Sequence, residues 1–188
     1  MCIRDRIIAA FVNFEWNLSK KTKLVTGIRG EKVNYEYETN IEPGTKGRIQ
    51  VSPNRDDDFT EFSPKLAINH KINDELAIFA NYSRGNRAPQ TTDLYRIQSK
   101  QIPGGAKSEK LDSLEIGLRG IFSIFNLELV GFNMRKENYF FRDSQGFNVE
   151  NGKTTHRGFE INFLAEFNQF FQIENSTSFA EHEYDFDH

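Results

Sequence analysis

Cysteine is almost missing from this 188-residue chain: Cys2 stands alone, so neither an internal disulfide nor a thiolate metal cluster can form within it. Long apolar runs are missing too, and none approaches the roughly 18 residues that a membrane-spanning helix needs. The short run Ile7 to Val12 has no small-residue cleavage site and leads into an alternating pattern, so it does not read as a signal peptide. Any export signal is expected to lie outside this chain. Neither charge dominates, since the formal net charge is −3, and a nucleic-acid partner is not expected. Catalytic signatures are absent as well: there is no Gly-x-Ser-x-Gly elbow, no Walker loop and no Rossmann glycine pattern. The histidines, at 70, 156, 182 and 188, lack ligand spacing such as a helical i, i+4 pair. Asn54 and Asp56 to Asp58 could offer oxygens to a hard cation, but the Gly and distal Glu of an EF-hand loop are missing, and a solvated acidic loop explains them better. No catalytic residue, metal site or cofactor is expected, and the chain does not read as an enzyme.

Alternation is what the chain has in abundance. From Ile8 the even positions read Ile8, Ala10, Val12, Phe14, Trp16 and Leu18, while the odd ones include Asn13, Glu15 and Asn17. Period two marks a strand with one apolar and one polar face, and about eleven residues suffice to cross a bilayer at a tilt. A short turn, Ser19 to Thr22, leads to a second strand in which Leu24, Thr26 and Ile28 alternate with Gly27, Arg29 and Glu31. Its phase slips near Gly30, after which Val33, Tyr35 and Tyr37 carry the apolar face, as a bulge or an exit from a membrane would produce. A third strand sets Phe62, Pro64, Leu66 and Ile68 against Glu61, Ser63, Lys65 and Asn69. Beyond the turn at Ile72 to Asp74, a fourth sets Leu76, Ile78, Ala80 and Tyr82 against Ala77, Phe79, Asn81 and Ser83. A fifth carries Leu114, Ile116 and Leu118, and a sixth, Phe125 to about Phe141, admits two phases, Leu127/Leu129 or Val130/Phe132/Met134. After a turn at Asp143 to Gly146, a seventh sets Phe159, Ile161, Phe163, Ala165 and Phe167 against Gly158, Glu160, Asn162, Leu164 and Glu166, and an eighth begins near Phe170.

The connections differ in length. Those near 20, 73, 122 and 169 are short, whereas 39 to 58 and 87 to 108 are long and rich in Gly, Pro and polar residues. Short turns at one end and long loops at the other describe an outer-membrane barrel, and globular strands usually run nearer five or six residues than ten. Two other all-β architectures stay open on pattern alone. One is a complete eight-stranded outer-membrane protein, an adhesin or anchor, whose first strand would pair with its last. The other is a soluble β-sandwich binding module with the Phe159 to Phe167 face in its core.

The stretch Tyr82-Ser-Arg-Gly-Asn-Arg-Ala-Pro-Gln-Thr-Thr-Asp-Leu-Tyr-Arg96 resembles the barrel of TonB-dependent outer-membrane receptors, in which a strand ends in an Arg-Ala-Pro step followed by a Leu-Tyr pair. Ser108 to Gly120 looks like that family's next strand, and Phe132 to Asn138 and Asn151 to Glu160, with an Arg-Gly-x-Glu strand start, continue the likeness in family order. The resemblance implies an antiparallel transmembrane β-barrel, of which this chain would supply about eight strands. The plug domain, the energy-coupling box and the terminal aromatic strand of such barrels are not in it. Met1 to Arg6 does not join the strand pattern and reads as a leader foreign to the barrel, with residues 7 to 188 as the partial barrel.

The same resemblance implies a task and a place: capture of a scarce nutrient, a ferric siderophore first of all, at the bacterial outer membrane. Its implied partners are that iron chelate, outer-membrane lipid and, through the missing plug, the periplasmic TonB energy-coupling protein. Loop residues Arg48, Arg55, Arg87, Tyr95, Arg96, Lys100 and Lys107 are the candidates for contact with an anionic chelate, by charge-assisted hydrogen bonds and cation–π contacts. Glu115, Arg119, Arg157, Gly158 and Glu160 are expected to face the lumen in structural roles, Arg and Glu pairing across strands and Gly admitting close approach.

Overall fold

The computed structural model describes residues 2–99, 101–142, 144 and 148–185. Eight long strands form one antiparallel sheet in the order β1 (Cys2–Asn17), β2 (Thr22–Glu38), β5 (Arg55–Lys71), β6 (Leu76–Arg87), β8 (Glu109–Ile121), β9 (Phe125–Arg142), β10 (Asn148–Asn168) and β11 (Phe171–Tyr184). Three short strands, β3 (Gly44–Lys46), β4 (Ile49–Val51) and β7 (Arg96–Gln98), make a second sheet, and α1 (Thr91–Tyr95) is a single helical turn. Among the described residues β1 and β11 do not pair, so the eight strands form an open, partial barrel wall.

Register sorts the side chains. One row across the sheet reads Trp16, Leu24, Ile68, Ala80, Ile116, Gly131, Phe159 and Phe179. It begins beside the β1–β2 turn and ends midway along β11, the stagger that tilted barrel strands require. This face is apolar and uncovered, with Phe62, Ile116 and Phe159 each about half exposed or more. A sandwich core is thereby excluded for the Phe159 to Phe167 face. The opposite face carries Lys65, Asn81, Glu115, Glu128, Glu160 and Asn162, and the β8–β9 register resolves the sixth strand, placing Leu127 and Leu129 on the apolar face and Val130, Phe132 and Met134 on the polar one.

Several expectations need correction. The phase slip near Gly30 is not a bulge, because β2 pairs with both neighbours without a register shift. The apolar residues change faces instead: Leu24 and Ile28 point outward in the band, and Val33, Tyr35 and Tyr37 point to the polar side, where the second long connection folds over them. Cys2 to Arg6 belong to β1, pairing with Glu38 to Asn34. Asp56 to Asp58 are not loop but the start of β5, opposite Glu36 to Asn34. β10 begins at Asn148, so Arg157 and Gly158 lie inside the strand instead of at its start. Arg157 does not face the lumen side: it shares the apolar face with Phe159 and Ile161, because neighbouring strand residues point opposite ways. The turn at Asp143 to Gly146 lies, except for Ser144, outside the described residues.

Candidate functional site

Both long connections leave the same end of the sheet, and they fold together. β4 of the first pairs with β7 of the second, so the two make one cap. α1 starts where the Gln90 amide donates to Asp93 Oδ2 (3.0 Å) and the Asp93 amide to the Gln90 carbonyl (2.9 Å). That turn presents Leu94 and Tyr95 to the polar side of the sheet, where they are buried with Val33, Tyr35, Tyr37 and Ala106. The core of this chain is therefore in the cap, beyond the apolar band.

A polar cluster locks the cap to β5. Arg55 donates from Nε and Nη2 to the two carboxylate oxygens of Asp57 (2.7 and 2.6 Å) and from Nη1 to the Pro103 carbonyl (2.6 Å). Tyr95 donates its hydroxyl to Asp57 Oδ2 (3.0 Å) and stacks on Tyr37 with ring centroids 4.4 Å apart. Burial, and then the hydrogen bond to the Asp57 carboxylate, push the Tyr95 phenol well above its ordinary value. Tyr35 donates to the Pro89 carbonyl (3.1 Å), and burial raises its phenol too. Gly104 has φ +68, and a Cβ there would crowd the Arg55 guanidinium, so this turn favours glycine. A second buried carboxylate, Glu109, accepts from Arg87 (2.9 Å) and Lys136 (3.1 Å).

Beneath the cap the wall is split. The β5–β6 ladder stops at Lys65–Ser83, next to Pro64, which has no N–H to continue it. The Asn86 side-chain amide takes over, donating to the Phe62 carbonyl (2.8 Å) and Ser63 Oγ (3.0 Å).

The residues expected to touch ligand do not converge. Arg55 and Tyr95 are occupied with Asp57 and hold the cap, and Arg87 is tied to Glu109. Arg48 and Lys107 are exposed. Lys100 and the side chain of Arg96 lie outside the described residues. On the polar face Arg119 donates to Glu128 on the next strand (2.6 Å), and Glu115 accepts from Asn81 (3.4 Å). Glu160 is exposed on that face. Gly158 does admit close approach: a Cβ there would meet the Phe179 carbonyl and, at 2.9 Å, the Phe132 ring. Arg157 instead pairs outward with Glu181 (2.9 Å). The sequence offers Asp57 and Tyr37 in other roles, without their part in holding the cap, and sequence reasoning missed the pair His156–His182, whose Nδ1 atoms sit 2.6 Å apart across the β10–β11 hairpin. The short turn near 169 contained that last signal, since counting back evenly from it sets 156 opposite 182. Among the described residues no three of His, Cys, Asp or Glu gather as a metal-ligand set.

A family model described as "TonB dependent receptor-like, beta-barrel" matches residues 3–187. Among solved structures the chain is similar to the copper transporter OprC, with TM-score 0.75 and 16% identity over 96% of this chain and 29% of that one. It is also similar to the ferric-catecholate import receptor Fiu from E. coli K12, with TM-score 0.72 and 17% identity over 97% of this chain and 28% of that one. The ferripyoverdine receptor of the Pseudomonas aeruginosa outer membrane gives TM-score 0.71 and 16% identity over 97% and 23% of the two chains. At such identities the likeness establishes the fold alone, and this chain spans less than a third of each. No curated protein matches it by sequence.

Proposed function

The chain belongs to the TonB-dependent receptor-like β-barrel family of the outer membrane, and from that membership we propose that it forms part of the wall and cap of a receptor importing a ferric siderophore. Family members are transporters, and we assign this chain to transport and not to catalysis. The observation that carries the reading is the folding of both long connections onto the polar face at one end, above a band whose other face needs lipid. A rigid cap over a polar lumen is a place to hold a nutrient complex before it passes inward. Arg48 and Lys107, exposed on the cap, together with Arg87, Arg96 and Lys100, are the cations we assign to contact with an anionic chelate. Glu115, Arg119 and Glu160 would line the lumen, where the receptor's plug and, through it, a TonB protein would act. Of the similar solved structures, two are named for ferric-catecholate import and for ferripyoverdine and one for copper transport, so a ferric chelate is the first cargo to test.

The test is uptake of radiolabelled ferric siderophores by iron-starved cells carrying or lacking the gene, with and without a protonophore. Energy-dependent uptake that disappears with the gene is the expected result. Unchanged iron uptake, with loss of cobalamin, haem or sugar uptake instead, would reassign the cargo, and no change in any of them would sink the import reading.

A further inference from the structure

The β10–β11 hairpin carries two imidazoles that aim at one point. His156 and His182 are register partners on the polar face, with Nδ1 atoms 2.6 Å apart and ring centroids at 4.8 Å. Only one proton fits between two nitrogens so placed, so one ring presents a lone pair to the other. The remaining nitrogen of His156, Nε2, lies 2.9 Å from Thr154 Oγ1. If His156 Nε2–H donates to that hydroxyl, Nδ1 is the lone-pair nitrogen, and its tautomer and orientation are already those of a metal ligand with its outer hydrogen bond in place. Along the same row, β9 sets Met134 directly opposite His156. Two imidazoles and a thioether on adjacent strands are a nitrogen and soft-sulfur donor set.

We propose that His156 and His182 chelate a first-row transition-metal ion through their Nδ1 atoms, copper above all, with the Met134 thioether as third donor. Imidazole suits copper, zinc and nickel, thioether adds preference for Cu(I), and neither favours calcium or magnesium. Metal–nitrogen bonds of about 2.0 Å need the two nitrogens to part from 2.6 Å to roughly 3 Å, within reach of a ring rotation by the exposed His182. The proton shared between the rings moves to His182 Nε2 on the same ring, so neutral imidazoles bind with no net proton release. Lys136, the cation facing the site from β9, is itself paired with Glu109 (3.1 Å), and Glu181 and Glu183 lie on the other face with Arg157. The site stands outside the apolar band, on the face over which the cap folds. It does not depend on the siderophore reading: the chelate forms whatever cargo the receptor imports.

The experiment titrates Cu(II) into the full chain in detergent micelles, with Cys2→Ser to remove the exposed thiol, following the EPR spectrum and the thermal midpoint. One copper per chain with two-nitrogen coupling, and a midpoint raised by metal, are expected. His156→Gln and His182→Gln should each weaken binding by roughly 100-fold, the scale on which joining two ligands strengthens either. Met134→Leu should weaken Cu(I) more than Cu(II), and His70→Gln, on the apolar face at the opposite end, should change nothing. Equal midpoints for parent and double His variant without metal establish that the variant folds. Copper affinity unchanged in that folded variant, or a parent that binds no tighter than it, would overturn the site.

Discussion

The band and the cap are built from the same strands and held by different physics. In the band the apolar side chains point outward and remain uncovered by protein, Ile116 and Phe62 among them, so their burial free energy is supplied by lipid and the protein provides mainly its ladder hydrogen bonds. In the cap Leu94, Tyr95 and Ile97 are buried in protein as in any soluble core. One strand can serve both because its two faces are independent: β2 offers Leu24 and Ile28 to lipid and, one turn of phase later, Val33, Tyr35 and Tyr37 to the cap. The same chain should therefore respond oppositely to the same class of mutation at its two ends.

The largest expected effect is in the cap. Leu94 is fully buried, and Leu94→Ala should cost about 2–5 kcal/mol. Because the band shares no packing with it, the loss should appear as proteolytic cleavage within 39–54 and 88–108 while amide exchange in β8 to β10 stays slow. Cleavage together with rapid exchange in those strands would mean that the two regions melt as one. Next comes the band. Ile116→Arg should cost about 2–4 kcal/mol in a bilayer near its midplane, read as a lower urea midpoint for the chain in vesicles. The same change at Ile102, exposed in the cap, should fall within about 0.5 kcal/mol of neutral. Equal penalties at the two positions would contradict a lipid-facing band.

Tyr95→Phe is smaller. It leaves the ring stacked on Tyr37 but strips Asp57 of one donor, at about 1–3 kcal/mol for a buried acceptor. It also carries a pH signature. Because the folded phenol is raised above its unfolded value near 10, its contribution is complete below that pH and fades as pH climbs toward the folded value. Alkaline titration should loosen the cap above about pH 10 in the parent and less steeply in Tyr95→Phe, monitored by tyrosine near-UV dichroism. Parallel curves would place the titration elsewhere.

The regions also differ in how far they could be read from sequence. Alternation and turn spacing identify the band because a lipid-facing strand is decided locally, two residues at a time. The cap is decided by contacts between segments, which local pattern does not encode. Arg55 and Tyr95 sit in loop-rich sequence, where ligand contact is the natural expectation, and their bonds to Asp57 of β5 depend on such a meeting of segments. The slip near Gly30 is visible in the sequence, and of its two readings, a bulge or an exit from the membrane, the unshifted register removes only the bulge. Arg157 lies on the face opposite Gly158 and Glu160, as the alternation of the strand itself requires. The histidine pair is legible from the hairpin count and invisible to helical i, i+4 spacing.

The smallest effect tests what covers the polar face. Arg119 reaches Glu128 on the next strand (2.6 Å) and stands over the Phe79 ring at 5.4 Å, with about half its side chain exposed. If water fills that side of the wall, a double-mutant cycle of Arg119→Ala with Glu128→Gln should give a coupling of only about 0.2–1 kcal/mol, shrinking between 0.05 and 0.5 M salt as screening tightens. A coupling of several kcal/mol, indifferent to salt, would mean that protein covers the pair and water is excluded. The measurement can be made in the isolated chain and in a barrel that contains it. A difference between the two would locate on these residues the surface that the rest of a receptor lays against this wall, which neither the apolar band nor the self-contained cap could reveal.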